Sequence, residues 1–405
     1  MITNKIIKEA VKKLGTPIYI YDLDKVSENC KNILKTFRKY YPQTEVHFAV
    51  KANSCPAVIK EVEKTGLNVD CSSPFELLLS EKCGFSKDRI MYTGNYESPE
   101  DLDYATKKAG LINLDDISSF ERLKKVKIPE IISFRINPGI GKGGFEGVVT
   151  GGVDAKFGVP YESTEEAYQK ALDAGVKRFG IHMMTGSNNL EPWYFAEITD
   201  KLMHIAGKAF NKLGIIPEYV DIGGGFGIPY SDNEKEIDLD ETARFVTEKF
   251  IDASKKFGFG TPVLRLEPGR FITGNAGILV TKVMGKKLSY HNYLGVDAGM
   301  NSLLRPALYG AVHRVETPFV EKKILKGTDI CGRICENSDI FSRNTMLPEL
   351  KEDDVVVFKD AGAYGFVMSS TYNGRPQPAE IAIRNNDVIF IRKRLSPEEM
   401  LSQHF

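Results

Sequence analysis

The sequence has no excess charge of either sign, no long apolar run and no framework of paired cysteines. Its 54 Lys and Arg residues balance 54 Asp and Glu residues, so no net field favours binding to nucleic acid or to an anionic membrane. No apolar run approaches the roughly 20 residues that a membrane-spanning helix needs. The N-terminal segment predicts an amphipathic helix, and because lysines interrupt its apolar residues it lacks the pattern of a signal peptide.

Cysteine is scarce, and its spacing is irregular. A small unpaired set is typical of a protein of the reducing cytoplasm. Two of these residues form a lone C-x3-C pair with no second pair of ligands nearby, so the sequence predicts no metal site. The composition, 42% hydrophobic and 27% charged over 405 residues, is that of a globular chain long enough for two domains. The cysteines are Cys30, Cys55, Cys71, Cys83, Cys331 and Cys335.

Strand-like and helix-like segments alternate through the first two thirds of the chain. Eight short segments rich in apolar and β-branched residues are separated by helix-like segments, and a helix is expected at 23–40 before the first of them. This alternation over about 230 residues predicts a parallel (β/α)8 barrel of the TIM type. The eight predicted strands are 45–51, 67–71, 89–93, 111–114, 130–136, 178–182, 219–222 and 263–267.

The pattern changes after residue 274. Short strands joined by turns follow, with little helix between them, and predict an antiparallel β-domain of sandwich or barrel shape. A strand predicted at 16–21 has no place in the barrel, so we expect it to join this C-terminal sheet. The predicted domains are therefore 24–273 for the barrel, and 1–23 together with 274–405 for the β-domain. The predicted C-terminal strands are 278–283, 293–296, 354–358, 380–383 and 388–391.

A glycine-rich insertion at 138–158 interrupts the alternation. It is too long and too rich in glycine for a packed connection. The sequence predicts either a mobile loop at the mouth of the barrel or a spacer without function.

Lys51 ends the first predicted barrel strand, the end at which (β/α)8 barrels carry out chemistry. Apolar neighbours at this position predict a depressed pKa for the Lys51 ammonium, and a neutral amine can form a Schiff base with a carbonyl. The alternative is a solvated lysine that begins a loop.

Two motifs follow the last two predicted barrel strands. Four glycines occupy 223–227 together with Phe226, and their backbone amides can surround a phosphate; the alternative is a tight turn. The spacing matches neither a dinucleotide fingerprint nor a Walker A loop. Glu267-Pro-Gly-Arg270 shares this mouth, and a carboxylate beside a phosphate site is explained if Glu267 faces a protonated ring nitrogen. The alternative for Glu267 is a solvated acid at the rim.

The strand at 178–182 leads into three further candidates. Ser187 offers a hydroxyl to a phosphate, and His182 or Met184 can pack on a flat ring. The alternative for His182 is a core residue whose hydrogen bonds are satisfied, the more common fate of a lone histidine on an apolar strand.

The β-domain adds four candidates. Cys335 next to Glu336 suits an acid beside a binding carboxylate, although free cysteines are often simply buried. Tyr364 and Tyr372 stand among small residues, from which their hydroxyls can reach a site or their rings can pack in a sheet.

Taken together, these segments resemble the diaminopimelate decarboxylases, pyridoxal-phosphate enzymes related to ornithine decarboxylase, with a barrel similar to that of alanine racemase. The resemblance runs from about Gly15 to Ile391, and its motifs occur in the order that the family has. These motifs are Phe48-Ala-Val-Lys-Ala-Asn53, Asp221–Tyr230, Glu267–Arg270, Val296–Tyr309, Cys335–Asp339 and Asp360–Glu380.

The resemblance implies a cofactor and the residues that hold it. Lys51 would carry pyridoxal 5'-phosphate, Glu267 would keep the ring nitrogen protonated, and the ring would be an electron sink. His182 or Met184 would cover the ring face. The phosphate would be held by Ser187, Gly224, Gly225, Gly269, Arg270 and Tyr372.

The resemblance also implies an amino-acid substrate and a homodimer. Cys335 would be the acid that protonates the substrate carbon after CO2 leaves, and in this family the Cys-Glu segment completes the active site of the partner subunit. The expected assembly is therefore a homodimer with shared active sites. The substrate would be bound by Arg270, Arg305 and Tyr309 at its far carboxylate, by Glu336 at its far ammonium, and by Tyr364 and Tyr372.

Two departures from the family pattern bear on the substrate. Met184 stands where the family has a ring-stacking histidine, and Arg333 and Asn337 replace the usual proline and serine beside Cys335. The leading interpretation is decarboxylation of meso-diaminopimelate to L-lysine. The alternatives are a racemase or epimerase, a decarboxylase of another basic amino acid, and a non-catalytic binder of the cofactor, against which the presence of Lys51 and Cys335 argues.

Overall fold

The computed structural model describes residues 1–143, 149–321, 325–402 and 404. Its strands fall into a closed barrel, a large sheet and one short pair. Numbered along the chain, they are β1 Ile18–Asp22, β2 Thr44–Ala49, β3 Asn68–Cys71, β4 Ile90–Thr93, β5 Leu111–Leu114, β6 Ile131–Phe134, β7 Ile136–Asn137, β8 Val159–Pro160, β9 Arg178–His182, β10 Tyr219–Asp221, β11 Val263–Leu266, β12 Gly277–Leu288, β13 Asn292–Val296, β14 Val315–Glu316, β15 Lys326–Cys331, β16 Ile340–Leu347, β17 Val355–Phe358, β18 Ala379–Arg384 and β19 Asp387–Arg392.

Several of the helices begin after a residue whose side chain accepts a hydrogen bond from the first turn. Ser73 and Ser98 cap two helices whose first residue is proline, which is pre-organised for that position. None of the helices in the described part of the chain is both long and apolar enough to cross a bilayer. The helices are α1 Asn4–Leu14, α2 Leu23–Tyr40, α3 Pro56–Lys64, α4 Pro74–Lys82, α5 Pro99–Lys108, α6 Ile117–Lys124, α7 Thr164–Asp173, α8 Pro192–Leu213, α9 Leu239–Phe257, α10 Arg270–Thr273, α11 Arg305–Tyr309 and α12 Pro397–Leu401.

Eight parallel strands close into the predicted barrel. Their order is β10–β11–β2–β3–β4–β5–β6–β9, and each pairs in parallel with its neighbours. All eight segments that the sequence predicted as barrel strands are in it, so the (β/α)8 prediction is confirmed. The apolar runs were decisive because strands covered on both faces are almost continuously hydrophobic.

The insertion at 138–158 is bracketed by the short parallel pair β7 and β8. Residues 144–148 lie outside the described residues, so the expected mobility of this loop stays a prediction. The described part at Thr150 and Phe157 lines the cavity at the barrel mouth. The insertion therefore contributes to the site region.

The second sheet has the order β16–β15–β13–β12–β1–β18–β19, and β17 pairs with β12 and β14. The N-terminal strand β1 lies inside it, between β12 and β18, which confirms the expected connection between the two ends of the chain. The sheet is mixed rather than purely antiparallel, because β1 runs parallel to β18 and β13 runs parallel to β15. No hairpin links these pairs, so nothing in the connectivity forces them to be antiparallel.

Strands β15 and β16 were not predicted from the sequence. Their buried positions are interrupted by polar and exposed ones, as in Ser342, Arg343 and Asn344, so they lack the apolar signal of the barrel strands. The domain limits at 24 and 273 stay a prediction.

Strand β1 is buried along its whole length and has a different environment on each face. Ile18 and Ile20 belong to an apolar cluster that includes Ile7 of α1. On the other face the Tyr21 hydroxyl donates to Glu380 Oε1 at 2.8 Å, and the Tyr19 hydroxyl donates to the Ser302 carbonyl at 2.8 Å. This alternation is the period of two expected for a strand.

We predict that Ile20→Ala lowers the free energy of unfolding by about 2–5 kcal/mol, because it leaves a cavity in a fully buried strand between two others. Val388→Ala on the edge strand β19 is the matched control, since Val388 is exposed, and it should cost less than about 1 kcal/mol. Urea unfolding followed by circular dichroism measures both. Equal midpoints for the two variants would contradict the central place of β1.

Candidate active site

A cavity lies at the carboxyl ends of the barrel strands. Helix α11, from the part of the chain that builds the second sheet, also lines it. Lys51 lies in a single turn of 3-10 helix, Val50–Ala52, directly after β2. Arg270 begins α10 just after β11, and Arg305 begins α11. The cavity has a volume of about 370 Å3 and is lined by Lys51, Ser72, Thr93, Gly94, Asn95, Arg135, Thr150, Phe157, Met184, Ser187, Arg270, Arg305, Tyr309, Tyr364 and Met368.

The lining of this cavity is cationic. In the described part of the chain it includes one lysine and three arginines, and no aspartate or glutamate is among the described lining residues. Arg270 and Arg305 are 6% and 1% exposed, and among the described residues no carboxylate lies within ion-pairing distance of either guanidinium. Buried cations without an anionic partner are strongly unfavourable. The cavity is therefore suited to a ligand that carries negative charge.

Lys51 is held by a buried carboxylate. Its Nζ donates to Asp70 Oδ2 at 3.0 Å, and Asp70 is 1% exposed. Burial acts to lower the pKa of the Lys51 ammonium, but the carboxylates of Asp70 and Glu267 outweigh it and raise the pKa above its ordinary value. The expectation of a depressed pKa was wrong, because the sequence shows the apolar neighbours of Lys51 along β2 but not the acid that β3 brings beside it.

Glu267 and His182 form a buried pair beneath the cavity. His182 Nε2 lies 3.3 Å from Glu267 Oε2, and both side chains are almost fully buried. Burial acts to raise the pKa of Glu267, but His182 and Lys51 reverse this effect and lower it to about 2. Glu267 is therefore ionised at neutral pH, and its second oxygen, Oε1, is buried without a hydrogen-bond donor among the described residues.

The glycine run after β10 passes very close to neighbouring backbone. A Cβ on Gly223 would lie 2.4 Å from the Met183 carbonyl oxygen, and one on Gly224 would lie 2.3 Å from the Glu267 carbonyl oxygen. Gly223 and Gly225 also have positive φ angles of 72° and 96°. Close approach and backbone conformation thus account for three glycines, and a role in holding phosphate stays a prediction.

Tyr230 contacts both Arg270 and Arg305. Arg270 donates from Nη1 to the Tyr230 hydroxyl at 2.6 Å and from Nη2 to Ser187 Oγ at 3.1 Å. The Arg305 guanidinium carbon lies 4.5 Å from the centre of the same Tyr230 ring. One aromatic ring therefore fixes the positions of both guanidinium groups.

Met184 stands at the position where the family pattern has a ring-stacking histidine. Its thioether lines the cavity, and its Sδ accepts a hydrogen bond from the Gly224 amide at 3.2 Å. His182 lies deeper, against Glu267, and is not among the residues that line the cavity. Between the two candidates for covering a flat ring, the geometry favours Met184.

The structure brings most of the predicted residues together and leaves three outside. Lys51, Met184, Ser187, Arg270, Arg305, Tyr309 and Tyr364 line the cavity, while Glu267, Gly224 and Gly269 lie directly behind it. Gly225 belongs to the same glycine run. Cys335, Glu336 and Tyr372 are exposed and are not part of the lining of their own chain's cavity.

Among the residues of the site region that were not predicted from the sequence are Asp70, Arg135, Tyr230 and His313. Asp70 is the penultimate residue of the predicted strand Leu67-Asn-Val-Asp-Cys71, where an acid in an apolar run is itself a signal. Arg135 has the same signal, since it lies in the apolar segment at 130–136, and its Nη2 contacts the carbonyls of Thr150 and Met184. Tyr230 and His313 give no local signal, because Tyr230 acts through Arg270, 40 residues away, and His313 joins Arg305 to the carbonyl of Lys359, 46 residues away.

The fold and this site define the class of protein. The family described as "Pyridoxal-dependent decarboxylase, pyridoxal binding domain" matches residues 23–274, well over half of the chain. The chain belongs to this family and is a decarboxylase that depends on pyridoxal phosphate.

Comparison with full-length proteins gives the particular branch. A curated diaminopimelate decarboxylase of Methanothermobacter thermautotrophicus is 40% identical over 97% of this chain and 92% of its own length. A crystal structure of Helicobacter pylori diaminopimelate decarboxylase complexed with L-lysine is 29% identical, with a TM-score of 0.88 and coverage of 98% and 99%. "Protein TabA" of Pseudomonas amygdali pv. tabaci is 33% identical over 96% of this chain and 91% of its own length. The chain belongs to the diaminopimelate decarboxylases.

The residues of the cavity fit pyridoxal phosphate. A protonated ring nitrogen would supply the donor that Glu267 Oε1 lacks, and a phosphate would supply negative charge beside Arg270 and Ser187. Among the described residues that line the cavity Lys51 is the only lysine, so it is the amine available to hold the aldehyde group.

We predict that borohydride reduction of the purified holoenzyme fixes the cofactor to Lys51. Reduction converts the reversible carbon–nitrogen link into a stable amine, and Lys51 is the amine in the cavity. Mass spectrometry of the digested protein locates the label, and Lys51→Ala should take up none. Recovery of the label on another lysine would overturn the assignment.

Proposed function

We propose that this protein decarboxylates meso-2,6-diaminopimelate to L-lysine and CO2, the step that completes lysine biosynthesis. The observation that carries the proposal is the pair of buried guanidinium groups, Arg270 and Arg305, which have no carboxylate partner among the described residues and share the cavity with Lys51. Membership of the diaminopimelate decarboxylases supports the same substrate.

The charge of the cavity distinguishes between amino-acid substrates. Diaminopimelate carries a carboxylate at the end far from the reacting carbon, and a planar carboxylate suits the fork of an arginine. Ornithine and lysine carry only an ammonium at that end, which Arg305 would repel. We assign Arg270, Arg305 and Tyr309 as the clamp for the far carboxylate, and their common position in the lining supports this assignment.

Bound pyridoxal phosphate supplies an electron sink that accepts the electron pair left when CO2 departs. The chain's own residues prepare this step. Glu267, ionised and buried, would keep a proton on the ring nitrogen through its second oxygen, Oε1, and His182 orients the carboxylate through the other oxygen. Met184 is assigned to one face of the ring, where a thioether packs but carries no charge.

Cys335 and Glu336 are assigned to the active site of a partner subunit. Both are exposed, and Tyr372, which is 45% exposed, interacts with Glu336. The Cys335 amide donates to Asn373 Oδ1 at 2.7 Å, which ties the segment to the loop that carries Tyr372. Cys335 is exposed and is not among the described residues that line its own chain's cavity, where a proton donor would act. In a homodimer, this segment would enter the cavity of the other chain, and Cys335 would then protonate the substrate carbon.

The compartment is proposed to be the cytoplasm. All six cysteines are unpaired thiols, as expected under reducing conditions. The exposed thiol of Cys335 in particular has to stay reduced to act as an acid.

We predict that the purified holoenzyme converts meso-diaminopimelate into equal amounts of CO2 and L-lysine. Trapped CO2, chromatography of lysine and separation of the diaminopimelate stereoisomers follow the reaction. L-Lysine and L-ornithine, offered as substrates, should release CO2 far more slowly because they present no far carboxylate to Arg305.

The other outcomes identify the alternatives directly. Interconversion of stereoisomers without CO2 would show a racemase or epimerase, and faster release of CO2 from ornithine would show a different basic substrate. Binding of cofactor without turnover of any of these compounds would show a non-catalytic relative.

We predict that Lys51→Ala and Cys335→Ala homodimers are each strongly impaired and that mixing them restores activity. After dissociation and reassociation, half of the dimers are heterodimers, and each has one site with both groups and one with neither. Activity should therefore return to about one quarter of the wild-type value, since a two-fold interface builds both sites alike. Mixing is followed by the diaminopimelate assay.

Two controls separate the possible failures of this test. If Cys335 served its own chain, no mixture would contain an intact site and activity would stay low. If Cys335 were only a surface residue, the Cys335→Ala homodimer would keep its activity before any mixing.

A further inference from the structure

His313 lies behind Arg305, in the segment between α11 and β14, and is only 3% exposed. Its Nε2 is 2.8 Å from Arg305 Nη1, and its Nδ1 is 2.8 Å from the carbonyl oxygen of Lys359. His313 is not among the residues that line the cavity around Lys51. It therefore reaches that cavity only through the arginine that it contacts.

The two partners fix the protonation of the imidazole. A carbonyl oxygen can only accept, so Nδ1 carries the proton and donates to Lys359. A guanidinium can only donate, so Nε2 has to be the acceptor for Arg305. Burial, and then the positive charge of Arg305, lower the pKa of His313 to about 3, so the neutral ring that this geometry needs is the form present at neutral pH.

Tyr230 completes the arrangement. Its ring meets the His313 ring edge to face, with centroids 5.3 Å apart and an interplanar angle of 79°. The Arg305 guanidinium lies over the same ring, and Arg270 donates to its hydroxyl. Arg305 is thus held at one nitrogen by a hydrogen bond and on one face by an aromatic ring.

We propose that His313 is a positioning residue that determines specificity for the far carboxylate. Its neutral Nε2 takes up one N–H of Arg305 and turns the opposite edge of the guanidinium, formed by Nε and Nη2, toward the substrate. That edge binds a carboxylate through two parallel hydrogen bonds. The inference rests on the proposed function, since it deepens the role given there to Arg305.

A pair of inhibitors isolates the far carboxylate. Loss of CO2 from the end of diaminopimelate held at Lys51 leaves an amine there and keeps the far carboxylate, so L-lysine retains the group that Arg305 binds. 1,5-Diaminopentane is the same chain without that carboxylate. The ratio of their inhibition constants in the diaminopimelate assay therefore measures the clamp and is insensitive to general damage to the cavity.

Two polar variants separate the two hydrogen bonds of His313. His313→Gln places an oxygen near the position of Nε2 and can still accept from Arg305. His313→Asn can still donate to the Lys359 carbonyl but is too short to reach Arg305. Thermal unfolding and cofactor content of each holoenzyme check that the fold is kept, and His313→Leu replaces the Asn variant if that variant does not fold.

In the Asn variant, the KM for diaminopimelate and the inhibition constant of L-lysine should rise about tenfold or more, the loss expected for a hydrogen bond to a charged group. The inhibition constant of 1,5-diaminopentane and kcat should change little, and the Gln variant should behave like wild type. Equal weakening of both inhibitors, or a Gln variant as impaired as the Asn variant, would show a merely structural role and overturn the inference.

Arg305→Lys serves as the reference that separates this inference from the proposed function. If Arg305→Lys abolishes the preference for L-lysine while His313→Asn retains it, the clamp stands and the role of His313 falls. If Arg305→Lys leaves the preference unchanged, Arg305 does not bind the far carboxylate, and both the clamp and the role of His313 are wrong.

Discussion

The site depends on one electrostatic constraint: two guanidinium groups are buried against the same tyrosine ring, and no carboxylate of the described residues forms an ion pair with either of them. Arg270 and Arg305 are each nearly inaccessible to solvent. Burial lowers the pKa of Arg305, and the positive charge of Arg270 acts in the same direction, as expected for like charges in a medium of low dielectric constant. Tyr230 mitigates the repulsion, because its hydroxyl accepts from one arginine and its ring faces the other. A bound anion would neutralise the positive charge that remains on the two guanidinium groups. Their unpaired charge therefore indicates that the cavity binds a negatively charged ligand.

This constraint couples the two parts of the fold. Arg270 follows the last barrel strand, whereas Arg305 belongs to the chain that builds the second sheet. The N-terminal strand β1 crosses that sheet between β12 and β18 and then leads directly into α2, which packs on the barrel. A strand with neighbours on both sides cannot shift without breaking hydrogen bonds to both, so β1 holds the relative positions on which the arginine pair depends.

How much of the site could be predicted depends on how far apart in the sequence the interacting residues lie. The barrel strands, Lys51 and Glu267 were predictable because apolar runs and strand ends are local features of the sequence. The raised pKa of Lys51 was not, because Asp70 reaches it from the neighbouring strand. Tyr230 and His313 were missed as well, because Tyr230 acts through Arg270, 40 residues away, and His313 joins Arg305 to the carbonyl of Lys359, 46 residues away. The mixed character of the second sheet was missed for the same reason, since the direction of β1 is set by partners more than 250 residues away.

The site also separates opposite charges, with a buried acid behind the cavity and arginines in its lining, and we propose that this separation lets one site serve both a cation and several anions. Glu267 is ionised and lies behind the cavity, where it would face the ring nitrogen of a bound cofactor, whereas Arg270 and Arg305 line the cavity itself. Met184 lines the same cavity, and its neutral thioether is the group proposed to cover the ring face. A protonated histidine there would add positive charge close to the ring and would draw on Glu267. In this chain the histidine, His182, is instead bound to Glu267 from behind, so it supports the carboxylate without crossing the ring face.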